Sequence, residues 1–131
     1  MQPIADGLLF PEGPVAFPDG SVILVELLRG TLTRCWSHGR TEIVADLGGG
    51  PNGAALGPDG AMYVCNSGGF DWSRGADGGF EVSGPLPRER GGGGRRDRGD
   101  ILTGRAEGLY QAWGEHPLSA PNDIVFDAAG G

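Results

Sequence analysis

Three polar residues occupy the same place in a recurring motif, each directly after a proline: Glu12 after Pro11, Asn52 after Pro51 and Asn122 after Pro121. A carboxylate and amide oxygens are ligands that a hard divalent cation such as Ca²⁺ accepts. If the three motifs begin equivalent strands around one axis, their side chains converge on a shared channel. The spacing therefore predicts a cation site built from these three positions.

Each position also has a structural alternative. Pro51–Gly53 is a standard turn sequence, so a turn and a site are equally compatible with Asn52. Asn122 precedes Asp123 and an apolar stretch, which also suits an Asx turn. Glu12 has no evident structural duty at the start of its strand, and a functional role is favoured there.

The motifs belong to longer repeats that align without gaps. PEGPVAFPDGSV begins at Pro11, PNGAALGPDGAM at Pro51 and PNDIVFDAAGG at Pro121. The offsets are 51 − 11 = 40 and 121 − 51 = 70 residues. Forty residues is about the length of one four-stranded propeller blade, and the longer offset indicates an insertion of about 30 residues.

Strand signals fall within this frame. The first blade is predicted to contain Gly13–Phe17, Ser21–Glu26, Thr31–Trp36 and Thr41–Asp46. The second is predicted to contain Gly53–Leu56, Ala61–Asn66, a strand near Asp100–Leu102 and Ala106–Ala112, and the third begins with Asp123–Asp127.

The predicted fold is all-β: an incomplete β-propeller with two four-stranded antiparallel blades and the first strand of a third. Blade one spans about 12–47, blade two about 52–113 with a Gly/Arg-rich insertion at about 67–98, and blade three starts at 120–131. Repeats of this kind need about three copies for stability. We therefore expect the chain to be a fragment of a longer protein.

The segment Arg88–Arg98 carries five Arg against one Glu and one Asp. It lacks the interleaved aromatic residues of a single-stranded nucleic-acid binder, so a solvated, flexible loop is favoured. Arg95, Arg96 and Gly99 interrupt the apolar alternation of a blade strand, which predicts a poorly formed strand.

Other motifs give weaker signals. Gly48, Gly50 and Gly53 fit G-x-G-x-x-G, but Gly57, Pro58 and Gly60 forbid the helix that a dinucleotide site needs. His38 and His116 lack zinc-helix spacing, and a plain loop role is favoured for His116 over a place near the channel mouth. Cys35 and Cys65 are expected to be free, buried thiols, and Asp19, Asp59 and Asp127 to form turns.

Composition limits the classes of partner. With 27 Gly and 10 Pro in 131 residues, short strands and turns are favoured over helices. The net charge of −7 argues against nucleic acid and anionic membranes. The N-terminus lacks a leader pattern, and no apolar run approaches the roughly 20 residues of a bilayer span. A cytoplasmic protein is expected.

Three blocks together resemble the gluconolactonase/regucalcin (senescence marker protein) family: Phe10–Val15, Gly49–Gly69 and Ala120–Asp127. The resemblance covers residues 7–70 and 100–131, and it is poor across the Arg/Gly-rich stretch between them. It implies a six-bladed propeller with one divalent metal, Ca²⁺ or Zn²⁺, in the central channel. It also implies hydrolysis of a sugar lactone or related ester.

The resemblance further assigns roles to residues. It implies that Glu12 ligates the metal and that Asn122, with Asp123 beside it, faces the metal and substrate. Asn52, which the repeat places at the equivalent position, is expected to be a further substrate-binding residue. The general base and the remaining ligands would come from later blades, so the isolated fragment is expected to be inactive. The alternatives are a propeller that binds Ca²⁺ or another ligand without catalysis, and an inactive truncated fragment. The sequence predicts no oligomeric state.

Overall fold

The first sheet is a four-stranded antiparallel meander. The computed structural model describes residues 2–90 and 92–131, so Met1 of the N-terminal segment and Gly91 of the predicted Arg/Gly-rich loop lie outside the described residues. The strands are β1 (Pro11–Ala16), β2 (Val22–Glu26), β3 (Thr31–Cys35) and β4 (Thr41–Asp46). Each pairs with its successor along the chain, which is the arrangement of a propeller blade.

The second sheet is also four-stranded but is interrupted by an inserted hairpin. The remaining strands are β5 (Pro51–Leu56), β6 (Met62–Asn66), β7 (Phe70–Arg74), β8 (Phe80–Pro85), β9 (Arg95–Gly99), β10 (Ala106–Tyr110), β11 (Ala112–Trp113) and β12 (His116–Pro117). Their pairing gives a sheet of order β10-β9-β6-β5 and two separate hairpins, β7-β8 and β11-β12. The insertion therefore leaves the sheet after β6 and returns to it at β9.

The same backbone turn follows the first segment of each repeat, although in the third repeat this segment is not a strand. In each turn an amide donates to the carbonyl oxygen four residues later, at Phe17 to Ser21 (2.8 Å), Gly57 to Ala61 (2.8 Å) and Asp127 to Gly131 (3.0 Å). Identical hydrogen bonding at these positions supports the gap-free alignment of the three sequence repeats.

The hydrophobic core lies between the two sheets. It contains Ile23, Val25, Leu32, Ala45, Leu47, Ala54, Met62 and Val64. These apolar residues come from the strands of both sheets and from the connection after β4. Burying the facing surfaces against each other therefore fixes the position of β5 beside β1.

The prediction of a poorly formed strand at Arg95–Gly99 is wrong. This segment is β9, and it pairs with β6 over five consecutive positions from Met62↔Gly99 to Asn66↔Arg95. The stretch predicted as the third strand, Asp100–Leu102, lies instead in the turn between β9 and β10, where the Asp100 amide donates to the Arg105 carbonyl at 2.8 Å. The charged side chains of the strand have partners in place of apolar burial: Arg95 pairs with Asp97, Arg98 pairs with Asp59, and Arg96 lies over the Tyr110 ring.

The final segment runs beside the second sheet. Among the described residues, 118–131 contain no strand, so the predicted first strand of a third blade has no ladder partner. It is held by side chains instead: the rings of Tyr63 and Phe126 meet edge to face with centroids 5.0 Å apart. In the described part of the chain, no helix has both the length and the apolarity needed to cross a membrane.

Candidate functional site

One cleft of about 290 Å³ gathers the polar residues that follow the repeated prolines. It is lined by Glu12, Gly13, Pro14, Asn52, Gly53, Ala54, Asn122 and Asp123. The predicted convergence of the residues at positions 12, 52 and 122 is therefore present in the structure, with Asp123 beside them. Their roles as metal and substrate ligands stay predictions.

Two irregular strands carry the first two of these residues. The β1–β2 register shifts between Glu12 and Val15, and the β5–β6 register shifts between Pro51 and Ala54. A bulge changes the direction of a side chain and ends regular pairing locally. The equivalent bulges in the two sheets thus place Glu12 and Asn52 in equivalent positions relative to their blades.

Glycines allow the three segments to approach closely. A Cβ on Gly13 would lie 2.5 Å from the Ala54 backbone nitrogen, and one on Gly53 would lie 2.5 Å from the Asn122 carbonyl oxygen. Such distances are well inside van der Waals contact. The residues after Glu12 and Asn52 must therefore lack a side chain, so that β1, β5 and the 122–123 segment can line a single cleft.

The segment with Asn122 and Asp123 is anchored by a buried thiol. Cys65 Sγ donates to the Asp123 carbonyl oxygen at 3.2 Å, and Cys65 is 2% exposed. Burial raises the pKa of Cys65, which keeps the thiol protonated and able to donate at neutral pH. The Asp123 carboxylate accepts from the Ile124 amide at 2.8 Å through Oδ1, so the same residue is also fixed locally.

The polar lining has the chemistry of a hard-cation site. Glu12 and Asp123 supply carboxylate oxygens, and Asn52 and Asn122 supply amide oxygens. Across residues 2–90 and 92–131, no three His, Cys, Asp or Glu side chains are grouped closely enough to hold a metal by themselves. An all-oxygen donor set of this kind fits Ca²⁺, which accepts carboxylates, amides and water, better than Zn²⁺, which favours nitrogen and sulfur.

The other residues that sequence analysis considered lie elsewhere. His116 is exposed on β12 and His38 lies in the turn before β4, and neither lines the cleft in the part of the chain that the structure describes. The G-x-G-x-x-G stretch leads into strand β5, not a helix, as predicted. Cys35 and Cys65 are free and buried, which confirms that prediction.

A larger cleft of about 450 Å³ lies at the outer edge of the second sheet, lined in part by Arg98, Asp100 and Glu107. Two of its charged groups already have partners: Arg98 pairs with Asp59 at 2.7 Å, and Asp100 accepts from the Thr103 amide at 2.8 Å. Backbone hydrogen bonds from Thr103 lower the pKa of Asp100. The smaller cleft, where polar residues from three repeats meet, is therefore the better candidate site.

Sequence reasoning missed Gly13 and Gly53 as determinants of this cleft. Their signal was present, because a glycine follows the site residue in both of the first two motifs. The third motif has Asp123 in that place. Asp123 lies against β5, since a Cβ on Gly53 would be 2.6 Å from the Asp123 Cα.

Solved structures with the same fold support this architecture. A gluconolactonase from Xanthomonas campestris, described as important in glucose secondary metabolic pathways, matches with a TM-score of 0.68 and 18% identity over 97% of this chain and 35% of its own. A structural-genomics X-ray structure described as a candidate gluconolactonase matches with a TM-score of 0.65 and 21% identity, over 98% of this chain and 37% of its own. The likeness shows the fold and confirms the predicted incomplete β-propeller.

The chain spans little more than a third of the length of these solved structures. No curated protein matches it. The sequence profile described as the SMP-30/Gluconolactonase/LRE-like region matches residues 10–131, a range that contains all four polar residues of the cleft. The resemblance inferred from the Pro-Glu-Gly and Pro-Asn-Asp motifs is thereby confirmed. The chain belongs to the SMP-30/gluconolactonase/LRE-like family.

Proposed function

We propose that this chain is the N-terminal part of a divalent-cation-dependent hydrolase that opens a sugar lactone or a related ester. One observation carries the proposal: Glu12, Asn52, Asn122 and Asp123, from three sequence repeats, line a single cleft. Family membership supports the lactone as substrate class. A small neutral substrate also suits the cleft, since the described residues that line it include two carboxylates and no basic side chain.

The side chains of the cleft have separate duties in this proposal. Glu12 supplies the anionic ligand that holds the cation, and Asn122 orients the substrate or a water molecule through its amide. Asn52 and Asp123 complete the polar wall on either side. These groups offer fewer ligands than the six to eight that Ca²⁺ takes, so water or other parts of the complete protein supply the rest.

The bound cation would polarise the lactone carbonyl and lower the pKa of water. The residues described here bind and orient; the general base belongs to a part of the complete protein beyond residue 131. We further propose a cytoplasmic location and no partner beyond the small-molecule substrate, with neither nucleic acid nor membrane involved. The net charge of −7 supports the exclusion of nucleic acid and anionic membranes.

Glu12→Gln tests the proposal in the complete protein that contains this chain. Hydrolysis of a panel of aldonolactones is measured with CaCl₂ and with EDTA. We expect wild-type turnover to need the cation and Glu12→Gln to lower kcat/KM by about 100-fold or more, because the amide removes the anionic ligand. Glu115→Gln, an exposed glutamate outside the cleft, is the matched control and should retain wild-type activity.

Three results would contradict the proposal, and the first two would each favour an alternative. Calcium binding by calorimetry without turnover of any lactone would indicate a non-catalytic binding propeller. Neither binding nor turnover would indicate an inactive truncated fragment. Turnover that persists in EDTA would exclude the cation-dependent mechanism.

A further inference from the structure

A fully buried polar residue stands at the same place in each blade, opposite the proline that precedes the cleft residue. Pro11 pairs with Glu26 across β1 and β2, and Pro51 pairs with Asn66 across β5 and β6. Glu26 and Asn66 are both 0% exposed. Burying such groups is costly unless all their hydrogen bonds are made, so their partners indicate what they stabilise.

Glu26 ties the chain before β1 to the sheet. Its Oε2 accepts from the Leu9 amide at 2.7 Å, and its Oε1 accepts from the Thr33 hydroxyl at 2.7 Å. Arg29 pairs with the same carboxylate at 3.4 Å. The carboxylate therefore bridges β3 and the backbone three residues before Glu12.

Asn66 ties the chain before β5 to its sheet in the same way. Its Oδ1 accepts from the Gly50 and Gly68 amides, each at 3.0 Å. Its Nδ2 donates to the Gly48 carbonyl and to Asp97 Oδ2, each at 2.9 Å. The Gly50 amide lies two residues before Asn52, so this side chain fixes the approach to the second cleft residue.

The third strands complete both clusters with different chemistry. By strand register, Thr31 and Thr33 of β3 correspond to Arg95 and Asp97 of β9. Arg95 Nε pairs with Asp97 at 2.8 Å, and Arg95 Nη2 donates to the Leu47 carbonyl at 2.6 Å. The Arg-rich segment thus binds the connection between the two blades, just before the second cleft residue.

We propose that Glu26 in blade one and the Asn66–Asp97–Arg95 cluster in blade two are positioning residues for the cleft. Each cluster fixes the backbone that leads into the strand of one cleft residue, Glu12 or Asn52. It thereby fixes the position of that residue in the cleft. The inference deepens the proposed function and rests on it. Because the two clusters share no side chain, each controls one cleft residue independently.

The test swaps the carboxylate and the amide between positions 66 and 97 in the second cluster. Asn66→Asp places a second carboxylate against Asp97 and removes the donor to the Gly48 carbonyl. The double variant Asn66→Asp/Asp97→Asn restores one carboxylate and one amide, with the two groups exchanged. Glu26→Gln is the corresponding change in blade one. Asp59→Asn is the control, since it breaks an Arg–Asp pair at the opposite end of β9.

Amide hydrogen exchange measures the stability of each cluster directly, because the Leu9 amide donates to Glu26 and the Gly50 amide donates to Asn66. Asn66→Asp should accelerate exchange at Gly50 by about tenfold or more and leave Leu9 unchanged. Glu26→Gln should do the reverse, and the double variant should return Gly50 to within about threefold of wild type. Asp59→Asn should change neither amide.

Calcium affinity, measured by calorimetry, links the clusters to the cleft. We expect Asn66→Asp and Glu26→Gln each to weaken CaCl₂ binding about tenfold, with recovery in the double variant. Affinities that match the Asp59→Asn control, or exchange that accelerates equally at Leu9 and Gly50, would overturn the inference. If the complete wild-type protein binds no calcium, the proposed function fails, while the exchange measurement still decides whether the clusters act separately.

Discussion

Gly13 and Gly53 determine how closely the repeats can assemble. Each follows a cleft residue, and each faces the backbone of the next repeat at a distance that excludes a methyl group. A side chain at either position would push the neighbouring segment away and widen the cleft. The geometry of the candidate site therefore depends on two residues that offer no ligand.

Gly53→Ala tests this dependence. The added Cβ would lie 2.5 Å from the Asn122 carbonyl oxygen and 2.6 Å from the Asp123 Cα, so we expect a loss of about 1–3 kcal/mol in unfolding free energy. Urea denaturation measures the change. Gly108→Ala is the control, since a Cβ there would meet its nearest neighbour at 3.7 Å. Equal midpoints for the two variants would show that the close approach is absent.

At the residue scale, the repeat alone predicted that positions 12, 52 and 122 meet, because equal spacing from a proline implies an equal place in the blade. Asp123 was found only through the family resemblance. Glu26 and Asn66 were not found, although they also lie 40 residues apart and each ends an apolar strand. A buried polar residue cannot be distinguished from an exposed one by strand alternation, since its partners lie far away in sequence.

At the scale of elements, β9 shows that a charged strand can replace an apolar one. Arg98 in β9 and Arg34 in β3 occupy equivalent registers, and each pairs with the aspartate of the preceding Pro-Asp-Gly turn. The alternation rule failed here because ion pairs and hydrogen bonds, which depend on tertiary neighbours, satisfy this strand. The inserted hairpin, whose Trp72 ring lies 4.8 Å from that of Phe10, was also beyond prediction.

The Pro-Asp-Gly turns predict how stability depends on pH. Hydrogen bonds from Ser21 lower the pKa of Asp19, and those from Arg98 and Ala61 lower the pKa of Asp59. A carboxylate with a lowered folded-state pKa stabilises the protein fully above its ordinary value of about 3.9, and this contribution is lost as the pH falls through the folded-state pKa. We expect the urea concentration at the unfolding midpoint to decrease as the pH is lowered from about 5 to about 3, roughly the window around that value.

The Asp59→Asn variant should reduce this pH dependence, because it removes one of the titrating groups. Its urea midpoint should be lower than that of wild type near pH 6, and the difference should shrink as the pH falls. Asp6→Asn, which changes an exposed carboxylate outside the turns, is the control. A pH profile for Asp59→Asn that parallels wild type would show that the turn carboxylate does not contribute.

At the scale of the whole molecule, two blades and an adjoining segment form a cleft without a closed ring. Composition and repeat length were sufficient to predict the all-β class and the propeller, because Gly, Pro and Asp at fixed intervals favour short strands joined by turns over helices. The same information could not define the insertion, since a hairpin that packs on a neighbouring repeat leaves no periodic signal. The core between the sheets holds the first two cleft segments at a fixed separation.

Mn²⁺ added to the ¹⁵N-labelled protein tests whether residues 12, 52 and 122 share one cation site. Mn²⁺ accepts the same oxygen ligands and broadens the signals of nearby amides. We predict selective broadening in three separate segments, 12–14, 52–54 and 122–123, and its loss in Glu12→Gln. Broadening centred on the turn aspartates, or confined to one of the three segments, would show that the three residues do not share one cation site.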